Sequence, residues 1–496
     1  MFEDVVEYKR ECKEFLSKST LNLLRSFARW SGVKNPTENK KKEVLVDAII
    51  AVWAGEVLPQ TPSKFGKPFK NDFVDPQLIE GMKKIRRAHL KRGGLEDTME
   101  RFRELAENPY VLCVSAPNAK EVKDTTLNEF YNGQLEMFNG EPVLLPLDGV
   151  DMESNILVPV ELIRVYDLRE GDVICCRAER RQNRLVMVKL LTINGLKVEY
   201  LRRGNFDLSR ACYPYQRVKF CENKISDTAV AKVLEWLVVV GKGQRGLIVA
   251  PPKTGKTTLL MDMAICARRA NSNFAVISLL VDQAPEAISL YRDLTAPCDL
   301  LYTTYEDSPE RQMFIAEYAL KRAKRYAESG KDVLLLVDSF NALSRAFNET
   351  DASLGGKTLA GGLESKTIQY LKRYFGTARC LEKGGSLTII GALSIDTGNP
   401  ADDLLRAELA PVSNLEIVLS EDLAKRRIFP AIDLFETRGK RTSNATGLHE
   451  GITNDMIRGE YLAEFTIEDL YKIIIDAESF QDMENQIFKQ LKTKKK

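Results

Sequence analysis

Histidine is nearly missing from this chain of 496 residues, in which only His89 and His449 occur. Two imidazoles make a histidine-based catalytic triad or a His-rich metal site an unpromising reading. Nine cysteines are present but none forms a Cys-x-x-Cys pair; Cys175 and Cys176 are adjacent, which suits neither a zinc site nor a bridge between them. Such an odd, scattered set reads as reduced, mostly buried thiols. No run of 18 apolar residues is available to span a membrane. Residues 1–15 are heavily charged, so no signal peptide is expected. These absences point to a cytoplasmic protein. Net charge is also almost absent: 72 basic residues against 70 acidic ones leave +2, so any nucleic-acid site must be local.

What is present is an ordinary globular composition, 44% hydrophobic and 29% charged, in a chain too long for one core. Four segments separate by pattern. Residues 1–57 read as a small helical module: Leu21, Leu23, Leu24, Phe27, Ala28 and Trp30 sit close to helical spacing, and a second amphipathic stretch, 40–50, follows a turn at 32–36. Residues 58–125 are a Pro/Lys-rich linker or insertion of unclear fold. Its strip Lys83, Lys84, Arg86, Arg87, Lys91 and Arg92 suits phosphate contact or a solvated helix face equally well. From 126 to 200 the period changes to five short alternating runs separated by Asn-Gly, Asp-Gly and Glu-Gly, which suggests a small barrel of the OB type. From 205 to 496 apolar strands alternate with amphipathic helices, the pattern of an α/β domain with a parallel sheet. Near its end Thr466 and Asp469 form a capping-box start, and 492–496 read as a disordered, solubilising tail.

The strongest chemical signal lies at 246–260. A short apolar run, Gly246 to Ala250, enters Pro251-Pro252-Lys253-Thr254-Gly255-Lys256-Thr257-Thr258 and then a helical pattern. A strand, a glycine-containing loop and a helix start are what a phosphate-cradling loop needs, because backbone N–H groups and the helix N-terminus face the anion. Lys256 would reach the β- and γ-phosphates of ATP, and Thr257 would hold Mg²⁺. About 80 residues downstream the continuous apolar run from Asp332 ends in Asp338, an acid expected at the carboxyl edge of a buried parallel strand, bound to the metal through water. Another such run, from Ala275, ends in Asp282-Gln283. In many P-loop ATPases this strand carries a glutamate that activates the attacking water; glutamine can orient water but cannot take its proton.

Block after block from 240 onward resembles the Rho family of bacterial transcription termination factors. The blocks are 241–253, with Lys253 as an additional phosphate-loop lysine; 332–348, including Arg345; Gly356-Lys357 to Gly362; 374–379; 384–391; Asp396-Thr397-Gly398; and Arg427-Ile428-Phe429 to Asp433. The barrel segment 158–172 and the helical segment 20–57 are similar as well. The resemblance implies a RecA-like ATPase domain behind an OB-type RNA-binding barrel, assembled as a homo-hexamer on single-stranded RNA. It implies that Phe429 stacks on adenine, that Arg427 faces a neighbour's nucleotide, that Lys357 grips RNA in a central channel, and that a trans arginine is Arg438 or Arg441. Whether RNA polymerase is contacted directly stays open.

This sequence also departs from the family pattern. Gln283 and Ala284 stand where a glutamate and an arginine are usual. Barrel aromatics are replaced by Glu141-Pro142-Val143 and Leu185-Val186, and Asn399-Pro400 stands where a lysine follows Thr-Gly. Base stacking contributes roughly 1–3 kcal/mol per base, so its loss shifts RNA contact toward the charges of Arg177, Arg180, Arg181 and Arg184. Two functions therefore follow: an RNA-dependent ATPase motor or helicase that terminates transcription, or a Rho-like RNA-binding ring with weak or no ATP hydrolysis. Glu286 and Glu306 are alternative acids for activating water. A rotary-type ring ATPase is a third class, opposed by the barrel and by the 356–362 loop.

Overall fold

The computed structural model describes residues 2–30, 33, 41–53, 78, 82, 130–149, 154–181, 184–198, 204–222, 227–271, 274–295, 298–350, 356–382, 384–440 and 448–494. The basic strip at 83–92, nearly all of 58–125, and Arg441 lie outside the described residues. The chain divides into two compact units, Met1–Leu201 and Arg202–Lys496.

The first unit begins with three helices, Phe2–Ser17, Leu21–Trp30 and Lys42–Trp53. The sequence reading expects only the last two. The first is hidden by its charge, yet Cys12 and Leu16, one helical turn apart, are fully buried against Leu24, Phe27, Leu45 and Ile49. Then come β1 (Phe130–Phe138), β2 (Glu141–Leu145), β3 (Ile156–Leu157), a helix at Val160–Tyr166, β4 (Val173–Arg181), β5 (Arg184–Ile193) and β6 (Leu196–Lys197). Their order is β3-β2-β1-β4-β5-β6, and a parallel pairing of β3 with β5 closes the sheet on itself. Asn139-Gly140 and Asn194-Gly195 take positive φ at both positions, which matches the twist of the β1–β2 and β5–β6 hairpins. Buried Asp172 accepts from the Arg169 amide at 2.7 Å and from Asn194 Nδ2 at 3.0 Å, pinning one end.

The second unit is built on nine strands: β7 (Ala211–Cys212), β8 (Arg245–Ala250), β9 (Ala275–Gln283), β10 (Asp299–Thr304), β11 (Asp332–Asp338), β12 (Arg379–Leu381), β13 (Ser386–Ser394), β14 (Leu415–Leu419) and β15 (Ile432–Gly439). The main path runs β10-β9-β11-β13-β8-β14-β15. Strands β8, β9, β10, β11, β13 and β14 are parallel, but β15 runs antiparallel to β14, and β12 and β7 extend from β13 antiparallel. The expected parallel sheet is thus mixed at its margins, where no crossover helix is needed. The inner strands are buried over most of their length and mostly apolar, as strands of a sheet covered on both faces are. At Gly391 a Cβ would stand 2.2 Å from Phe340 Cε2, so only glycine lets helix Phe340–Asn348 lie this close on β13.

The chain ends in helices Leu448–Met456, Ile467–Asp476 and Phe480–Lys494. The last one corrects the expected tail, since Lys492 and Lys494 are helical. Met483, Ile487 and Leu491, spaced by four, bury one stripe of that helix and carry it to its end. Buried Lys232 donates to the carbonyls of Ile475 at 2.9 Å and Ala477 at 2.8 Å, closing the C-terminus of the preceding helix.

The capping box expected at Thr466 is formed: its hydroxyl accepts from the Asp469 amide, and Asp469 accepts in return. These bonds hold the Asp469 carboxyl below its ordinary 3.8. A depressed carboxylate stabilises the fold above its unfolded pKa, and the effect is lost as pH falls through the folded value. Replacing Thr466 by Ala should therefore cost about 1 kcal/mol at neutral pH. In urea unfolding curves the gap between the two proteins should narrow on acidification below pH 3.8.

Candidate functional site

The carboxyl ends of β8, β9, β11 and β13 meet along one edge of the sheet, where side chains from separate segments converge. β8 is buried from Gly246 to Ala250 and delivers the chain into the Pro251–Thr254 loop. Lys253, at φ +63°, and Gly255, at φ +95°, take left-handed backbone and turn the chain into helix Lys256–Ala270. The first amides of any helix have no intrahelical acceptor, so those of Lys256, Thr257 and Thr258 face the loop as an anion cradle. The Thr254 hydroxyl donates to the Pro251 carbonyl at 2.8 Å and tightens the turn.

Lys256 Nζ donates to the carbonyls of Pro251 at 2.7 Å and Ala250 at 3.3 Å. Burial pulls its pKa down, and Asp338 opposes that shift. Asp338, 4% exposed at the end of β11, accepts from the Thr257 hydroxyl at 2.5 Å. Burial raises its pKa, countered by the Thr257 bond and the Lys256 charge. Two hard oxygens, one from the first turn of the helix and one from the end of β11, beside an anion cradle would suit Mg²⁺, which keeps waters and takes few protein ligands. Among the described residues no group of three His, Cys, Asp or Glu forms a metal cage.

Phe429, 40% exposed, lies against this loop: a Cβ at Gly255 would stand 3.3 Å from its ring. Phe429 and the exposed Arg427 follow helix Glu421–Lys425, and Arg427 takes φ +59°. This turn is stapled from outside by an Arg426–Glu468 ion pair and by the Tyr471 hydroxyl, which donates to the Pro430 carbonyl at 2.9 Å. On β9, Gln283 Nε2 donates to the Val281 carbonyl at 3.3 Å, so its amide folds back on its own strand. Asp282 beside it is at φ +58° and lies 3.7 Å from Arg345. Glu286 and Glu306, the alternative acids, are exposed.

One helix joins this edge to two loops, and sequence reasoning missed it. Ser339 caps helix Phe340–Asn348 directly after Asp338. Asn341 donates to Asp402 at 2.7 Å and to the Ser394 carbonyl at 3.1 Å, while accepting from the Ser394 amide at 2.8 Å. At the far end Asn348 accepts from the Glu364 amide at 2.8 Å and donates to the Gly362 carbonyl at 3.2 Å, holding the loop that carries exposed Lys357. Gly361 packs on the second loop: a Cβ there would meet the Ala401 amide at 2.3 Å. The departure at Asn399-Pro400 now has a structural cause. Asn399 accepts from the Ala401 amide at 3.0 Å as an N-cap and Pro400 occupies the first turn, so both start helix Pro400–Leu409. Two asparagines at the ends of a nine-residue helix were the available sequence signal for this connection.

In the first unit, Arg184 pairs with Glu141 at 2.8 Å and Arg181 with Glu179 at 3.5 Å, so neither is a lone cation. Arg177 differs. It lies directly across β5 from Lys189 and across β1 from Phe130, a row of two cations and an aromatic residue. Burial and Arg177 both lower the Lys189 pKa. Like charges placed directly opposite are destabilising unless an anion joins them. Lys189 was missed because an isolated lysine in an apolar strand gives no pattern.

A family profile described as "ATP synthase alpha/beta family, nucleotide-binding domain" matches residues 231–437, the stretch that holds this edge. Transcription termination factor Rho of Streptosporangium roseum is 37% identical over 288 residues, covering 58% of this chain and 72% of that protein. The chain belongs to the Rho family. The Rho protein of Karelsulcia muelleri is 35% identical over 290 residues, covering 57% of this chain and 75% of its own. A solved ATPase from the type III secretion system of pathogenic bacteria has a TM-score of 0.45 at 21% identity, covering 52% of this chain and 83% of that one.

The Rho-family match and the profile leave the individual roles of these side chains to experiment. The contact of Phe429 with the phosphate loop gives a direct test. Phe429→Ala should weaken adenine-nucleotide binding by about 1–3 kcal/mol, roughly 5- to 150-fold. Fluorescent ATP-analogue titration should show this, with unfolding unchanged because the ring is partly exposed.

Proposed function

We propose that this chain is an RNA-dependent ATPase motor of the Rho family, working as a homo-hexamer on single-stranded RNA to terminate transcription in the cytoplasm. The observation that carries the reading is helix Phe340–Asn348, which starts at Asp338 and holds the Lys357 loop at its other end. A shift at the nucleotide edge has a rigid route to a cation that would grip RNA.

In this reading residues 205–496 form a RecA-like ATPase domain. Lys253, Thr254, Gly255, Lys256, Thr257 and Thr258 cradle the phosphates, and Phe429 stacks on adenine. Thr257 directly and Asp338 through water would hold Mg²⁺, which supplies charge neutralisation at the β- and γ-phosphates. Gln283 orients the attacking water. Arg427 and Arg438 or Arg441 serve a neighbouring copy. Residues 126–200 form an OB-type barrel after a helical module at 1–57, and 58–125 is a linker or insertion. The closed strand path with a helix between β3 and β4 supports the barrel assignment. Arg177 and Lys189 would meet the RNA backbone, with Arg181 and Arg184 contributing once freed from their acids. Within this reading RNA polymerase is the candidate protein partner.

A second reading is favoured by one observation: the Gln283 amide is turned onto the Val281 carbonyl. Under it the chain is an RNA-binding ring with weak or no hydrolysis. Steady-state ATP hydrolysis with and without single-stranded RNA separates the two. If the motor reading holds, RNA raises turnover, Lys256→Ala abolishes it, and Lys357→Ala removes the RNA stimulation while sparing ATP binding. A silent native chain awakened by Gln283→Glu would establish the second reading.

A further inference from the structure

We infer that Arg458 is a positioning residue for the arginine that β15 presents to a neighbouring copy's nucleotide. The inference rests on the proposed ATPase reading and assigns that arginine to Arg438. β15 is the last strand on the main path of the sheet, and its end is held at several points while the Arg438 side chain stays in solvent, as do those of Phe435 and Glu436. The Thr437 hydroxyl accepts from the Val418 amide at 3.1 Å, next to a register shift between Glu416 and Val418. Lys440 donates its amide to the Asn414 carbonyl at 2.8 Å and its ammonium to the Ser413 carbonyl at 2.9 Å. Between them the Arg438 side chain is 76% exposed and pairs with Glu436 at 3.5 Å. A fixed backbone around an exposed, planar guanidinium is preorganised to donate in parallel to two oxygens of an anion such as a phosphate.

Arg458 supplies the remaining hold. It sits in a π-helical turn, Ile457–Tyr461, and donates to the Thr437 carbonyl at 3.0 Å and to the Leu237 carbonyl at 3.2 Å. Leu237 belongs to a second π-helical turn, Leu234–Val238, wholly buried and followed by Val239 at φ +57°. Asn454 donates to the Trp236 carbonyl of that same turn at 2.9 Å. π-turns recur at functional positions, and here two of them are bridged by the guanidinium that also grips β15. The helices after 448 thereby set where the Arg438 backbone lies. The same region staples the Phe429 turn through Tyr471 and Glu468.

Complementation between copies tests this. Arg458→Gln and Arg438→Ala should each lower kcat at least tenfold with KM for ATP nearly unchanged, and Arg458→Lys should recover part of the loss. Mixing Arg458→Gln chains with Lys256→Ala chains should restore turnover, because an intact nucleotide site then meets an intact arginine. No restoration, with both proteins folded and co-assembled, overturns the assignment. If the native chain hydrolyses nothing, the ATPase reading falls, and hydrogen exchange still decides the positioning claim. Arg458→Gln should then speed amide exchange at 437–440 while leaving 254–258 unchanged; equal rates at 437–440 refute it.

Discussion

The hydrogen bond from Thr257 to Asp338 is the constraint on which the rest of this molecule depends. It joins the first turn of one helix to the end of a different strand, 81 positions apart in the sequence. That contact requires β8 and β11 to end at the same level with β13 between them, which the parallel register provides. It also requires Asp338 to be buried, and burial alone would favour the protonated acid. The Thr257 hydroxyl and the Lys256 ammonium oppose that tendency without cancelling it, as Asp338 in turn opposes the downward pull of burial on Lys256.

From that point the architecture extends in two directions. Inward, helix Phe340–Asn348 carries the position of Asp338 to Asn341 and Asn348, and through them to the loops around Lys357 and Asn399. Outward, β14 and β15 carry the sheet to its edge, where the terminal helices fix the Phe429 turn and the end of β15. Amide side chains, guanidinium groups and the Tyr471 hydroxyl make the directional part of these links, beside apolar packing such as that of Ile457 and Leu470 with Ile432 and Leu434. A fully satisfied polar contact specifies one geometry, whereas apolar packing tolerates small slips. The polar links lie between the nucleotide edge and parts that must answer it.

The nucleotide edge was legible in the sequence because its chemistry is local. Pro251 to Thr258 and the apolar run ending in Asp338 carry their own signatures, and their meeting follows from parallel-sheet topology. The five strands from β1 to β5 were legible from Asn-Gly turns and alternation. The first helix was not, because its buried stripe is narrow and its surface charge dominates the composition. Nor was the end of the terminal helix, where Lys492 and Lys494 conceal the stripe of Met483, Ile487 and Leu491. Long-range polar partners were the least visible of all: Asn341 with Asp402, Arg458 with Thr437, and Arg177 with Lys189 have no periodicity and acquire meaning only from the fold.

The departures from the family pattern separate by the same logic. Asn399-Pro400 exchanges a cation for a helix start, and the local structure accounts for both residues. Gln283 has no such compensation. Its amide turns to the Val281 carbonyl, while the neighbouring Asp282 is drawn toward Arg345 through a left-handed backbone. A strand end arranged this way keeps a carboxylate near the site but commits it to a cation. Hydrolysis would then need Arg345 to release Asp282 or Gln283 to turn outward, and either is a local rearrangement at the end of one strand. Because Arg345 belongs to the helix that holds the Lys357 loop, a displacement of that loop acts on the same helix. Under the motor reading proposed above, a glutamine at this position makes hydrolysis depend on that rearrangement and so on the state of the Lys357 loop.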